Sequence, residues 1–550
     1  MTDSAIRQLR ASVRTQMFRH LDGLGIGSTL AAFQEAGIIS LFRERHGLSL
    51  DDISRHLTCN QGYINVGLRL LACQGWLVRR DLKDSLEYHL TSIGDEAFIV
   101  AELYQLPCRF LARHPLIDDI EELVYLHKDS ALLEDFKRIV ELILCDWNLE
   151  RYSDRISGPV REQIHDHLDG LIVAPIMVML YRIGLFKPLM ELGRVEIREL
   201  GDYDLFGELL VALFTHFEWV EQVDDDYVKL TEAGRFAAEK VHTYGVTVSY
   251  LPTLIRVPLL LFGNPKSFAH SSSDDGKEVH VNRVINVWAS GASHRAYFAK
   301  LEPIIEAIFN QPIEQQPQGV AEMGCGDGTM LCFIYDVIKN KTLRGKYLEQ
   351  IPLIIVGSDF NQEAREVAAV NFQRHGMPHH LLYGDINNPA PFAQELKRLY
   401  GRDLSDFLSV RAFIDHERNY VPVDPSGRRW SHPTHAAFAD SGQLIETPAL
   451  MDNLVTHLQL WEKYSNKHGL LVIELHTLDP VLACQRLGQT LVTPYDAIHG
   501  YTDQYPVELA SFNEAAGVAG FKPESSYTAL FPPNELATIS VQWLRPIAKA

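Results

Sequence analysis

The chain has 550 residues, of which 46% are apolar and 22% charged. That length exceeds one ordinary hydrophobic core and predicts roughly two to four globular domains. Acid outweighs base, 71 Asp and Glu against 51 Lys and Arg, for a net charge of -20. Nucleic acid is therefore not the expected partner, because phosphate neutralisation needs surplus cations. The seven cysteines are scattered without a CxxC pair, so free thiols in a reducing compartment are expected, with no disulfide framework or zinc knuckle. The first ten residues lack an apolar signal core. The apolar stretch 171–181 is too short to span a bilayer and is interrupted by Pro175. These features predict a cytoplasmic protein without a membrane segment.

Two segments before residue 245 read as copies of one unit. The first has an apolar helix end, Glu35-Ala-Gly-Ile-Ile-Ser-Leu-Phe42, a small helix over 50–57 and a second over 63–73. In the second helix Ile64, Leu68 and Leu71 stand at helical spacing. A β-ribbon follows at 75–78 and 88–91, and Thr91-Ser-Ile-Gly94 opens another helix. The order is that of a winged helix. The second copy is looser, with Tyr181-Arg-Ile-Gly-Leu-Phe186, a helix over 205–217, and Tyr227-Val-Lys-Leu-Thr-Glu-Ala-Gly234. The recognition-helix position, 62–73, carries only Arg69 as a formal charge, which favours packing or dimerisation over DNA reading.

Residues 246–312 read as a helical connector or lid, with a polar loop at 267–275 and a helix over 282–308 broken near Ser290-Gly-Ala-Ser293. From Gly319 strands and helices alternate. Strands are expected at 319–323, 353–359, 381–385, 407–413, 469–475 and 537–543, with helices at 330–338 and 362–375. That alternation predicts an α/β, Rossmann-like, mostly parallel sheet with ligands at the carboxyl ends of its strands.

The loop Glu322-Met-Gly-Cys-Gly-Asp-Gly328 joins the first strand to its helix. Gly324, Gly326 and Gly328 permit a tight turn and close ligand approach. A dinucleotide fold would use G-x-G-x-x-G, but here the third glycine comes one residue early. Glu322 and Asp327 surround the turn with carboxylates, which repel a pyrophosphate and suit a cationic ligand. S-adenosylmethionine (SAM) carries a sulfonium and an ammonium. Asp359, ending the second strand, is placed for ribose hydroxyls. Asp385, ending the third, is placed for the adenine amino group, with Ile386 against the ring. Phe360 and Arg411 complete the expected cofactor set.

The final part of the chain, about 230 residues, resembles a class I SAM-dependent methyltransferase, and the winged-helix segments resemble the N-terminal domains of small-molecule O-methyltransferases. Three stretches, Asn286-Val-Trp-Ala-Ser-Gly-Ala-Ser-His294, Arg411-Ala-Phe-Ile-Asp-His-Glu-Arg418 and His499-Gly-Tyr-Thr-Asp-Gln504, resemble methyltransferase domains of bacterial polyketide synthases, including metal-dependent C-methyltransferases of loading modules. The resemblance implies a methyltransferase of natural-product biosynthesis with domains over 1–115, 116–245, 246–312 and 313–550. No carrier or decarboxylase segment follows, so a stand-alone enzyme is expected. Its substrate would be a small acyl or keto acid, free or held on an acyl-carrier protein. A homodimer through the N-terminal region is expected.

Two chemical readings stay open, with metal-assisted C-methylation expected first and metal-independent O-methylation as the alternative. His416 follows the fourth strand, where small-molecule O-methyltransferases place a general-base histidine. That role would serve metal-independent methylation of a phenol or enol. His476 follows the fifth strand, and two histidines at adjacent strand ends can instead share a metal such as iron or manganese. Gln504 and His499 would then complete the ligand set, and the metal would stabilise an enolate for C-methylation. A third reading, a SAM-binding regulator or scaffold, leaves His416 and His476 without a purpose.

Overall fold

The computed structural model describes residues 2–82, 85–115, 131–200, 204–224, 226–267 and 279–547. The chain forms two compact units. Unit 1 comprises Met1–Ala292, Ala439–Leu444 and Pro480–Asp503, and unit 2 comprises Ser293–Phe438, Ile445–Asp479 and Gln504–Ala550. The stretch 313–550, expected as one domain, thus contributes two of its segments to unit 1. Residues 268–275 of the expected polar loop lie outside the described residues.

Unit 1 contains the expected pair of winged-helix-like units. In the first, helices Ile38–Arg45, Leu50–His56 and Gln61–Cys73 accompany an antiparallel sheet of Gly47–Ser49, Leu86–Leu90 and Leu77–Asp81. In the second, helices Phe186–Leu192 and Asp204–His216 accompany Val195–Glu196, Tyr227–Leu230 and Val220–Gln222. The same device closes both copies. Thr91 caps Ser92–Ile99 by accepting from the Gly94 amide, and Thr231 caps Glu232–Glu239 by accepting from the Gly234 amide. Each hydroxyl also donates backwards, Thr91 to the Gly75 carbonyl at 2.8 Å and Thr231 to the Glu218 carbonyl at 2.6 Å. A Cβ on Gly94 would overlap the Trp76 carbonyl, and one on Gly234 the Trp219 carbonyl. The recurring Thr-x-x-Gly therefore has a cause: the helix start is pressed against the ribbon, and only glycine leaves room.

The recognition-helix position is closed. Every residue from Gly62 to Cys73 is buried. Arg69, 1% exposed, pairs with Asp496 through Nε at 3.0 Å and a terminal guanidinium nitrogen at 2.9 Å. Gly62 donates to the Gly442 carbonyl at 3.0 Å, and Gln74 Nε2 donates to Thr493 Oγ1 at 2.9 Å. The segments Ala439–Leu444 and Pro480–Asp503 thus cover the helix, leaving no face for a DNA groove.

Two expectations about helix breaks are corrected. Gly158–Arg182 is one helix of 25 residues that runs through Pro175. It is the single described helix long and apolar enough by itself to cross a membrane, and 89% of its apolar window is buried inside the protein. Arg283–Phe298 runs unbroken through 290–293. One glycine costs a helix only about 1 kcal/mol relative to alanine, and buried Ile285, Ala289 and Phe298 outweigh it.

Unit 2 carries an eight-stranded sheet. Its strands are β1 (Gly319–Met323), β2 (Ile354–Asp359), β3 (His380–Tyr383), β4 (Leu408–Ala412), β5 (Leu470–Leu475), β6 (Phe521–Pro523), β7 (Ala529–Phe531) and β8 (Ile539–Pro546). The order is β6-β8-β5-β4-β1-β2-β3, with β7 paired to β8. Strands β1 to β5 are parallel, and β8 returns antiparallel to β5. Because β1 and β5 are buried at every position, they read as apolar runs, as strands covered on both faces must, each interrupted by one glutamate, Glu322 and Glu474. Helix α1 (Thr329–Lys341) joins one apolar layer through Leu331, Ile334 and Ile338, packed with Ile355 and Leu471. Helices α2 (Pro389–Tyr400) and α3 (Thr447–Ser465) supply Phe392, Leu396 and Trp461 to another, with Ala321 and Val356. The carboxyl ends of β1, β2, β4 and β5 carry the site.

Candidate active site

The loop after β1 turns on three left-handed glycines, Gly324, Gly326 and Gly328, with φ of 71°, 50° and 78°. A Cβ on Gly328 would overlap the Phe372 ring, whereas one on Gly326 would meet nothing within 4 Å. Gly328 is demanded by packing, and Gly326 leaves bare backbone facing open space. Asp327 caps the turn, accepting from Thr329 N at 3.0 Å and Thr329 Oγ1 at 2.8 Å. Asp359 is oriented by the Gly326 amide at 3.1 Å and the Asn361 amide at 2.9 Å. Its oxygens retain lone pairs for a ribose diol. Beside it Phe360 is 70% exposed, an apolar face at a strand end suited to an adenine ring. Asp385 lies two residues beyond β3, not within it as expected, and accepts from the Asn387 amide at 2.8 Å. Ile386 is held by its carbonyl, which accepts from Trp461 Nε1 at 3.0 Å.

Glu322 gives the loop its electrostatic character. It is 2% exposed, and its Oε2 has no hydrogen-bond partner. Burial, with the nearby charges of Asp327 and Asp359, raises its pKa well above the usual carboxylate range. A buried acid with an unused oxygen beside two further carboxylates is a receptor for a cation. The residues therefore fit SAM, whose positive charge would satisfy that oxygen.

At the ends of β4 and β5 the structure assembles a buried ionic network. His416 Nδ1 is 2.6 Å from Glu474 Oε1 on β5. The same carboxylate accepts from the Leu475 amide at 2.7 Å and, through Oε2, from the Asp415 amide at 2.8 Å. Burial opposes the charged imidazole, but the adjacent Glu474 outweighs it, and the pKa of His416 is raised. Asp415 accepts from Arg411 Nε at 2.8 Å and lies 2.9 Å from His457 Nε2 on α3. Burial works against its ionised form, yet Arg411 and His457 hold its pKa below the ordinary value. Burial pushes His457 down to about 4. Arg418 donates to the Asp415 carbonyl at 3.0 Å and to Asn453 Oδ1 at 2.9 Å. The chain leaving β4 is thereby fixed on both sides of His416.

Gln504 enters beside this network. The next residue, Tyr505, donates its amide to the His416 carbonyl at 2.7 Å. Gln504 is 7% exposed, and its Oε1 is buried without a hydrogen-bond partner.

The four-residue metal set does not fit. His476 Nδ1 faces the Val507 carbonyl at 3.2 Å and its Nε2 faces Ser540 Oγ at 2.8 Å. Both ring nitrogens are engaged, which fixes the residue as a strut between β5 and β8 with no nitrogen for a metal or a substrate. His499 Nδ1 lies 2.6 Å from the Tyr495 carbonyl.

Residues 278–542 match the family model of the AprA MT2-like domain, residues 13–79 that of the AprA N-terminal domain, and residues 169–264 that of the AprA winged helix domain. The protein is a class I SAM-dependent methyltransferase. Among solved structures, the methyltransferase is similar to the mitomycin 7-O-methyltransferase MmcR at 11% identity and a TM-score of 0.44, over 71% of this chain and 98% of that one. It is similar to human N-acetylserotonin methyltransferase in complex with SAM at 12% identity and a TM-score of 0.36, over 70% and 97%. It is also similar to the DszA carbon methyltransferase at 11% identity and a TM-score of 0.31, over 80% and 93%. No curated protein matches the chain.

In this methyltransferase the structure brings together Glu322, Gly324, Gly326, Asp327, Gly328 and Asp359 around one turn. Arg411, expected at the cofactor, is instead 1% exposed, bound to Asp415 and stacked 5.1 Å from the Trp461 ring. Its part is to hold Asp415. Glu474, Asp415 and His457 were not among the expected site residues. The signal for Glu474 was present: a carboxylate inside the apolar run Leu470-Leu-Val-Ile-Glu-Leu475 requires a buried partner. His457 sits on a helix far along the chain and carries no comparable local signal.

Proposed function

We propose that this methyltransferase transfers the SAM methyl group to the acidic oxygen of a small natural-product acceptor, an enol or a phenol, with His416 as general base. The observation that carries the reading is the buried His416–Glu474 pair at 2.6 Å. With Nδ1–H directed at Glu474, the basic nitrogen is Nε2. The acceptor O–H gives its proton to that nitrogen as its oxygen forms a bond to the methyl carbon. The sulfur–carbon bond breaks, S-adenosylhomocysteine leaves, and Glu474 balances the imidazolium. SAM supplies the methyl group, and the loop after β1 positions it.

Gln504 supports a second reading, methylation of the α-carbon of an acyl or keto acid, free or carrier-bound. Its buried amide, turned to donate, would hold the enolate oxygen left when the same base removes a carbon-bound proton. An iron- or manganese-assisted version loses His476 as a ligand, since both its ring nitrogens are engaged. Product analysis with methyl-labelled SAM and a 1,3-dicarbonyl acceptor, in EDTA, separates the readings. An O-methyl product supports the first and a C-methyl product the second. Turnover that disappears with EDTA and returns with iron or manganese would overturn both.

A further inference from the structure

We propose that Asp146, His165 and His216 form a binding site for a divalent ion of the zinc type in unit 1, which the methyl-transfer chemistry derived above does not call on. The three residues come from separate elements: the turn Asp146–Tyr152, the helix Gly158–Arg182 and the helix Asp204–His216. One ligand atom from each lies within 4.8 Å of the others. His165 Nε2 is 3.2 Å from Asp146 Oδ1, and His216 Nε2 is 3.8 Å from the same oxygen. Ligands bound at about 2.0–2.2 Å on a tetrahedral ion stand about 3.4 Å apart, so only small side-chain shifts close the set.

A second, independent feature points to the ion. Asp169 lies one helical turn after His165, and its side chain is completely buried. Its Oδ2 is 3.3 Å from His165 Nδ1 but has no aligned hydrogen bond. Its Oδ1 accepts from Trp147 Nε1 at 2.8 Å, next to Asp146. A buried carboxylate behind one ring nitrogen, with the other nitrogen turned to a ligand cluster, is how metal-binding histidines are oriented. Two imidazoles and one carboxylate suit zinc or cobalt(II) better than calcium or magnesium, which prefer oxygen. The Asp146 side chain is 61% exposed, so water has access to the remaining coordination position. The ion would clip the second winged-helix-like unit to the long helix.

The test uses the full chain, stripped with chelator, dialysed and titrated with cobalt(II), reading visible d–d absorption. The expected result is about one equivalent bound and displaced by zinc. Asp146→Asn and His216→Ala should lose the spectrum while keeping wild-type circular dichroism. Asp169→Asn should weaken binding roughly 10- to 100-fold. His416→Ala should leave the spectrum intact, which separates this site from any ion in unit 2. No stoichiometric binding by wild type, or binding unchanged in both Asp146→Asn and His216→Ala, would overturn the assignment.

Discussion

Replacing Glu474 with Gln tests the base more sharply than removing the histidine, because shape is kept and charge is lost. The carboxylate makes three contacts: His416 Nδ1 at 2.6 Å, the Leu475 amide at 2.7 Å and the Asp415 amide at 2.8 Å. Glutamine has one acceptor oxygen. Placed toward His416 and Leu475, that oxygen keeps two contacts and turns the amide NH2 against the Asp415 N–H, two donors face to face. The orphaned amide costs about 1–3 kcal/mol of stability. Loss of the charge-assisted bond to the imidazolium formed during transfer costs about 1.5–3 kcal/mol, a fall of roughly 10- to 150-fold in kcat. The assay is S-adenosylhomocysteine release against pH, with SAM binding as the folding control. Since Glu474 raises His416, the wild-type rate should climb with pH through a value above the usual imidazole range. In Glu474→Gln the climb should move to lower pH under a lower plateau. For stability the sign is opposite: the protonated pair stabilises the fold fully below the ordinary imidazole pKa, and that contribution is lost as pH rises through the raised value. An unchanged limb and plateau in Glu474→Gln would refute the base assignment.

Three further outcomes are expected. SAM binding should be accompanied by proton release, because burial raises the pKa of Glu322 and the incoming cation favours its ionised form. Calorimetry in buffers of different ionisation enthalpy should show this, with affinity rising with pH; Glu322→Gln should abolish the release and weaken SAM roughly tenfold or more. Gly328→Ala should lose SAM binding at least about tenfold, since a left-handed residue with a Cβ is disfavoured by about 1–2 kcal/mol before the Phe372 overlap is counted. Wild-type affinity would contradict the geometry of the turn. Thr231→Ala should lower stability by about 1 kcal/mol through loss of its cap, read as a lower urea midpoint with unchanged SAM affinity.

What the sequence disclosed was mostly local. Strand β1 was expected at 319–323 and stands there, because an apolar run before a glycine-rich turn has few other folds. Thr-x-x-Gly recurs in both winged-helix-like units because a threonine cap and a glycine pressed against the ribbon are local requirements. Non-local features were hidden. The burial of Gln61–Cys73 depends on residues 439–444 and 480–503, and no periodicity within the helix encodes that cover. Glu474 in β5 and His476 just beyond its end have opposite fates. Glu474, inside the strand, turns its carboxylate to His416, whereas His476, just past the strand end, has its ring nitrogens taken by Val507 and Ser540. Position at a strand end suggested a role for His476, but only the partners of its two nitrogens decide the matter.

In the proposed mechanism His416 takes the acceptor's proton during methyl transfer. The most direct test of that role is transfer of radiolabelled methyl from SAM to a panel of phenols, enols and 1,3-dicarbonyls by wild type and His416→Ala in EDTA, with SAM affinity measured alongside. Label transfer by wild type and a loss of roughly 100-fold or more in the variant at unchanged SAM affinity are expected. Equal transfer by His416→Ala would contradict that role.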